Sequence, residues 1–173
     1  MIPLSSAMSG GLSWTKLPRH QGYELNRNGE AVGSLLRTSF WSSKFLAETK
    51  SGRWMFRRGG CLGTGAQILD ATSQQPIATF KSKWGDGGAL TFADGQTFHL
   101  ECKGWWRPVW SVIATTGETL LRLHIREKTV ELPSASPVSE GRLALLILFT
   151  GYRVLQTEED AASAATVAVI AAS

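Results

Sequence analysis

The stretch from Leu143 to Leu155, LALLILFTGYRVL, decides how the rest of the chain must fold. It is apolar on every face, and a helix of that kind is either enclosed on all sides or set in a membrane. Length separates the two. Only ten residues lie between Arg142 and Arg153, about 15 Å of helix at 1.5 Å per residue, whereas a membrane span needs about twenty apolar residues. Thr150 and Gly151 weaken a span further. The expectation is a buried helix over about residues 138–156, with Ser136 as its cap and Pro137 in its first turn.

The hundred residues upstream follow a different period. Short alternating runs are cut by turn residues every ten to fifteen positions, the signature of successive β-hairpins. Tyr23–Arg27 meets Ala31–Leu36 across Asn28-Gly29, a strong two-residue hairpin signal. Ser43–Thr49 faces Arg53–Arg57, with Trp54 and Phe56 on the inward side. Ala66–Asp70, Pro76–Lys81, Ala89–Ala93, Thr97–Cys102, Val109–Ile113, Thr119–Ile125 and Thr129–Leu132 continue the series. That makes eleven strand candidates, each too short to be stable alone.

So many hairpins must close their edges, and a barrel does this best. A ring of about twelve strands has a lumen wider than its wall side chains can fill, and the apolar helix is the segment available to fill it. The fold class expected is mainly β: a closed antiparallel barrel around a buried hydrophobic C-terminal helix. Residues 1–20, rich in Ser, Gly and Pro, are expected to form a flexible arm. Residues 21–173 are expected to form one barrel domain that ends in an Ala-rich tail from Asp160. Apolar content of 43% against 18% charged places the chain among globular rather than disordered sequences.

The hairpins FLAETKSGRWMFRR, AQILDATSQQPIATFKSKW and LTFADGQTFHLECKGWWRPVWSVIATTGETLLRL, followed by LALLILFTGYRVL, resemble the tubby C-terminal-like superfamily. Its members include LURP-one-related proteins, phospholipid scramblases and small bacterial proteins. The resemblance covers about Tyr23 to the C-terminus. It implies a twelve-stranded barrel threaded by its last helix, with lipid binding as the functional expectation. No segment matches the basic phosphoinositide site of tubby domains, so no binding residue carries over.

Catalytic chemistry finds no foothold. Gly59–Gly65 is glycine-rich but lacks the spacing of a phosphate loop. His99-Leu100-Glu101 has the H-x-E of zinc deaminases without the P-C-x-x-C that supplies the other ligands, so a local hydrogen bond between His99 and Glu101 is expected instead. G-x-S-x-G is absent, and His20, His99 and His124 lie in arm or strand contexts. Cys61 and Cys102 stand apart and are expected to stay reduced. No enzyme activity, cofactor or metal is expected.

Binding is the remaining class. The formal charge is +4, and between Arg37 and Lys83 eight cations face only Glu48 and Asp70. Arg53, Arg57, Arg58, Lys81 and Lys83 are the candidate anion or lipid patch, provided their strands are adjacent. Trp105 and Trp106, flanked by Lys103 and Arg107, are a candidate aromatic contact, or else a tight turn sealing one barrel end. The expected partner is an anionic phospholipid surface or an apolar ligand, with an unidentified protein as the alternative. Nucleic acid is not expected, since +4 is modest and no motif accompanies it. The first residues, MIPLSSAMSGGLSW, lack the basic and apolar regions of a secretory signal. The expected location is therefore cytoplasmic, peripheral to a membrane surface and not spanning it.

Overall fold

The computed structural model describes residues 11–18, 22–39, 43–59, 65–83, 87–133 and 137–171, with side chains described as far as 165. Twelve strands form a closed antiparallel barrel in simple chain order. They are β1 Leu12–Lys16, β2 Gly22–Arg27, β3 Glu30–Arg37, β4 Phe45–Thr49, β5 Gly52–Gly59 and β6 Gly65–Asp70. The ring continues with β7 Pro76–Ser82, β8 Gly88–Phe92, β9 Thr97–Lys103, β10 Val109–Ala114, β11 Thr119–His124 and β12 Thr129–Glu131. One helix follows, α1, Glu140–Ala171.

Turn chemistry places the hairpins where the sequence puts them. Asn28 and Gly29 both take positive φ, 49° and 84°, the demand of a type I′ turn whose twist matches its strands. Register shifts at Leu25/Asn26 and Ile68/Leu69 turn two successive residues inward, so both members of each pair are buried. A third shift at Val112/Ile113 does the same for Leu120 and Leu121 across the pair, while along β5 alternation holds and Trp54 and Phe56 point in, at 8% and 0% exposure.

The expected arm contains a strand. Leu12–Lys16 is β1, and it closes the ring by pairing with β2 on one side and β12 on the other. Leu12 and Trp14 alternate inward into the core while Thr15 and Lys16 stay exposed. Residues 1–10, 19 and 20 of that arm lie outside the described residues.

Inside the ring, every residue from Leu143 to Tyr152 is buried. Leu146, Phe149 and Tyr152 are at 0% exposure. Phe149 meets Phe56 and Phe80 with ring centroids 5.5 Å apart, and Tyr152 meets Phe45 and Phe56 at 5.4 Å. Arg142 and Arg153 bracket this run, one at each end of the barrel. Each lays its guanidinium over a wall ring, Phe92 at 4.2 Å and Phe80 at 4.6 Å. The helix is therefore a core element, its apolar length matched to the height of the wall.

Both ends of the helix differ from expectation. Ser139 is the cap: its Oγ accepts from the Arg142 N–H at 3.4 Å and its carbonyl from the Leu143 N–H at 2.9 Å. Pro137 sits in the bend before it, and Ser136 lies outside the described residues. At the other end the helix does not stop near Gln156 but continues through the Ala-rich tail as one element. No Gly or Pro interrupts residues 152–171, and alanine has the highest helix propensity. At 1.5 Å per residue the 32 residues extend about 48 Å, so the helix projects well past the wall. Residues 161–165 are exposed.

Gly151 shows how closely wall and helix meet. A Cβ there would lie 2.7 Å from the Trp14 ring, so its absence seats the indole. Gly151→Ala is expected to destabilise the protein by about 1–3 kcal/mol through overpacking, against the gain of up to about 1 kcal/mol that alanine brings to an unencumbered helix. Phe149→Ala should cost about 3–5 kcal/mol. Urea unfolding of both variants, followed by circular dichroism, measures the two costs.

Candidate functional site

The two ends of the barrel differ in shape and charge. At the end where the helix enters, the turns are short: Asn28-Gly29, Lys50-Ser51, Ala71–Gln75, Ala93–Gln96 and Thr115–Glu118. Arg142 is fully engaged there, with Asp94 at 2.9 Å, the Gln96 side chain and the Phe92 ring. The Arg142 hydrogen bond holds the Asp94 carboxyl below the usual carboxylate range. The helix leaves through the other end, where β3 and β5 hold it at the rim. Arg37 pairs with Glu159, and Arg58 with Asp160 at 2.6 Å. Just below, the buried Tyr152 hydroxyl accepts from Gln156 Nε2 at 2.7 Å.

At this exit end the β9–β10 loop projects two tryptophans into solvent. Lys103 and Val109 are its last paired residues, and Gly104 turns the chain with φ at 96°, where a Cβ would strike the Arg107 carbonyl at 2.6 Å. Trp105 is 93% exposed and Trp106 79%, whereas nearby Trp110, pointing inward from β10, is 1% exposed. The β11–β12 turn braces the loop: the Ile125 N–H donates to the Pro108 carbonyl at 3.4 Å, and Arg107 lies 3.9 Å from Glu127.

Cations surround the two rings. Lys83, Lys103, Arg107, Arg126 and Lys128 are all exposed on this rim, with Glu101, Glu127 and Glu158 as carboxylates among them. The turns at the opposite end carry Lys50 against Asp94 and Glu118. Basic charge and exposed aromatic surface thus coincide at one end of the molecule.

The five-residue patch expected from sequence is not brought together. Arg53 stands near the opposite end of β5, paired with Glu48 at 3.5 Å. Strand β6 separates β5 from β7, and its Gln67 takes Arg57 through two hydrogen bonds, at 3.0 and 2.6 Å. Arg58 falls on the same side of β5 as Trp54 and Phe56, and so meets Asp160 at the mouth. Lys81 and Lys83 are exposed on the outer face, as alternation against Phe80 requires, and Lys83 belongs to the exit rim. Arg126 and Lys128 complete that rim. The Arg126-Glu127-Lys128 tripeptide in the turn after β11 is their sequence signal.

The remaining motifs resolve quietly. Glu101 turns to Lys103 at 2.8 Å rather than to His99, and this hydrogen bond is the main reason its carboxyl lies below the usual range. Of the glycine-rich loop, residues 60–64 lie outside the described residues, Cys61 among them, and Cys102 is half-buried on β9. Among the described residues no three His, Cys, Asp or Glu side chains converge as a metal site, and no helix is long and apolar enough to cross a membrane. Trp105 and Trp106 seal nothing. Comparison of the chain with family models, with curated proteins and with solved structures gives no match.

Beneath the rim, burial raises the Tyr152 phenol to about 12. An unfolded chain releases this proton near pH 10, so the folded state keeps it longer. Its contribution is present in full below pH 10 and is lost as pH rises from 10 to 12, up to about 2–3 kcal/mol. Tyr152→Phe should lose stability at neutral pH, because Gln156 loses its buried acceptor, at about 1–3 kcal/mol. It should also lose less than wild type between pH 10 and 12. Urea midpoints at stepped alkaline pH measure both effects.

Proposed function

We propose that the protein is a non-enzymatic module that docks by its helix-exit end onto an anionic lipid surface. The observation that carries this reading is the pair of exposed tryptophans on a braced loop, set among five cations. Tryptophan favours the headgroup layer, where its ring is half in apolar surroundings and its N–H stays hydrated. Each basic residue near an anionic leaflet adds about 1 kcal/mol. The opposite end has neither feature, so docking has a direction: end-on, with the helix extension on the membrane side. The barrel and threaded helix support, within the same proposal, a place in the tubby C-terminal-like superfamily and a membrane-peripheral location.

Exposed tryptophans also anchor protein interfaces. Here the rings project on a loop ringed by charge rather than lying at the centre of an apolar patch, which favours a lipid surface over a protein partner.

Sedimentation with vesicles of neutral lipid, and of neutral lipid mixed with phosphatidylserine, tests the proposal. Binding should require the anionic lipid and weaken as salt is raised, because screening shortens the reach of the rim cations. Replacing Trp105 and Trp106 together by alanine should lower partitioning at least tenfold, since burying a large apolar side chain is worth about 1.5–3 kcal/mol. Wild-type protein left in the supernatant at low salt with anionic vesicles would reject the reading.

A further inference from the structure

Apolar anchorage of α1 ends at Gln156, which is buried. From Thr157 to Ala165 no side chain is buried, and Ala161–Ala165 are all exposed. Two ion pairs tie this extension to the wall. Glu159 meets Arg37, the last residue of β3, and Asp160 meets Arg58, near the end of β5, at 2.6 Å. The arginine side chains are 20% and 33% exposed, the carboxylates 42% and 63%, so the wall holds the firmer half of each pair. Arg37 also lies over the Phe45 ring, 4.8 Å from its centroid. On the side of β1 and β2 the extension is set off from the wall by a hollow of about 190 Å³, with Lys16 and Tyr23 across from Leu155, Glu158 and Ala162.

These pairs stand at the end that carries Trp105, Trp106 and the rim cations. An anionic leaflet approaching that end attracts Arg37 and Arg58 and repels Glu159 and Asp160. Both forces act on each pair in the same direction, towards separation. A ligand shifts an equilibrium only by what it gains in the favoured state, and here the gain is two more arginines facing lipid. A partly exposed pair is of modest worth, of the same order as the attraction of one basic residue to an anionic leaflet. Guanidinium also takes phosphate in the bidentate, charge-assisted geometry that it uses for carboxylate, so the exchange conserves the type of bond.

We propose that the two ion pairs are a latch on the helix extension, closed in solution by Glu159 and Asp160 and opened by an anionic lipid surface whose phosphates take over Arg37 and Arg58. The latch rests on the membrane-docking reading for its trigger. Opening adds two cations to the lipid-facing end and releases the extension from the rim. Most helical stability in proteins comes from packing, and residues 157–165 bury no side chain, so the released extension frays from its free end back towards Gln156.

Hydrogen–deuterium exchange of the full-length protein, read by mass spectrometry over residues 157–165, tests the latch. Without lipid, raising salt should speed exchange of this segment in wild type about threefold or more, because screening weakens partly exposed pairs. At low salt, vesicles containing phosphatidylserine should speed it similarly, and neutral vesicles should not. Glu159→Gln combined with Asp160→Asn removes both charges and keeps the side-chain shapes. This variant should exchange at the faster rate from the start and respond to neither salt nor vesicles. Glu158→Gln, which removes a neighbouring carboxylate outside both pairs, should behave as wild type. Exchange in wild type that ignores salt, or that already equals the double variant, would overturn the latch whatever the vesicles do. Anionic vesicles that sediment the protein without speeding exchange would overturn it too and retain the docking reading. Salt-sensitive exchange in a protein that anionic vesicles do not sediment would remove the docking reading and the proposed trigger, leaving the two pairs as a structural clamp.

Discussion

A ring of twelve strands encloses more space than its inward side chains can occupy. An eight-stranded barrel is about the widest that wall side chains alone will pack. Here the remaining volume is taken by ten residues of one helix, and the rest of the structure depends on that fit. The helix must be apolar all round because the wall surrounds it. It can have polar neighbours only where it leaves the wall, and Arg142 and Arg153 stand at those two places. Each arginine spreads its guanidinium on a ring from the wall, so charge is kept close to the apolar core without being buried in it.

Threading also gives the molecule a direction. The entering end carries a capped helix start and short turns, and its arginine is satisfied within the protein. The leaving end must accommodate a helix that goes on for several more turns. It does so with two ion pairs from the rim to Glu159 and Asp160, partly exposed and so of modest worth individually. Space opens there between the diverging helix and the wall, beside Tyr23 and Glu158. The surface features that suggest binding gather at the same end, because the longer connections lie there.

Much of the fold was legible in sequence because each hairpin announces itself locally. Asn28-Gly29, Asp94-Gly95 and Thr116-Gly117 supply turn geometries that few other residues adopt, and alternation then fixes which side faces in. Strand β1 escaped because Leu12 and Trp14 give only two inward positions, set between Gly10-Gly11 and Pro18. Its partners, β2 and β12, include one that lies more than a hundred residues away. The length of α1 escaped because the all-round apolar signal ends with the wall while alanine continues the helix without it. The patch failed for a geometric reason: residues close in sequence on one strand, such as Arg53 and Arg58, sit at opposite ends and on opposite faces. Alternation from Trp54 and Phe56 already placed Arg58 inward. The tryptophan pair was visible as a cluster, but whether it sealed or protruded depended on the Gly104 turn, which only the assembled loop defines.

The meeting of Trp14 with Gly151 ties together events that are distant along the chain. The Trp14 backbone N–H donates to the Lys128 carbonyl, 2.8 Å away, at the seam where β1 joins β12, while its side chain lies on the helix. That seam is short, with Leu12 opposite Val130 and Ser13 opposite Thr129. Ring closure and lumen filling therefore share one residue, and neither is stable without the other. During synthesis the hairpins appear first and the filler last, so the wall has nothing to condense around until its final segment arrives. Withdrawal of the helix and rupture of the seam are thereby coupled through Trp14, and amides of β1 and β12 are expected to lose protection together with those of the helix.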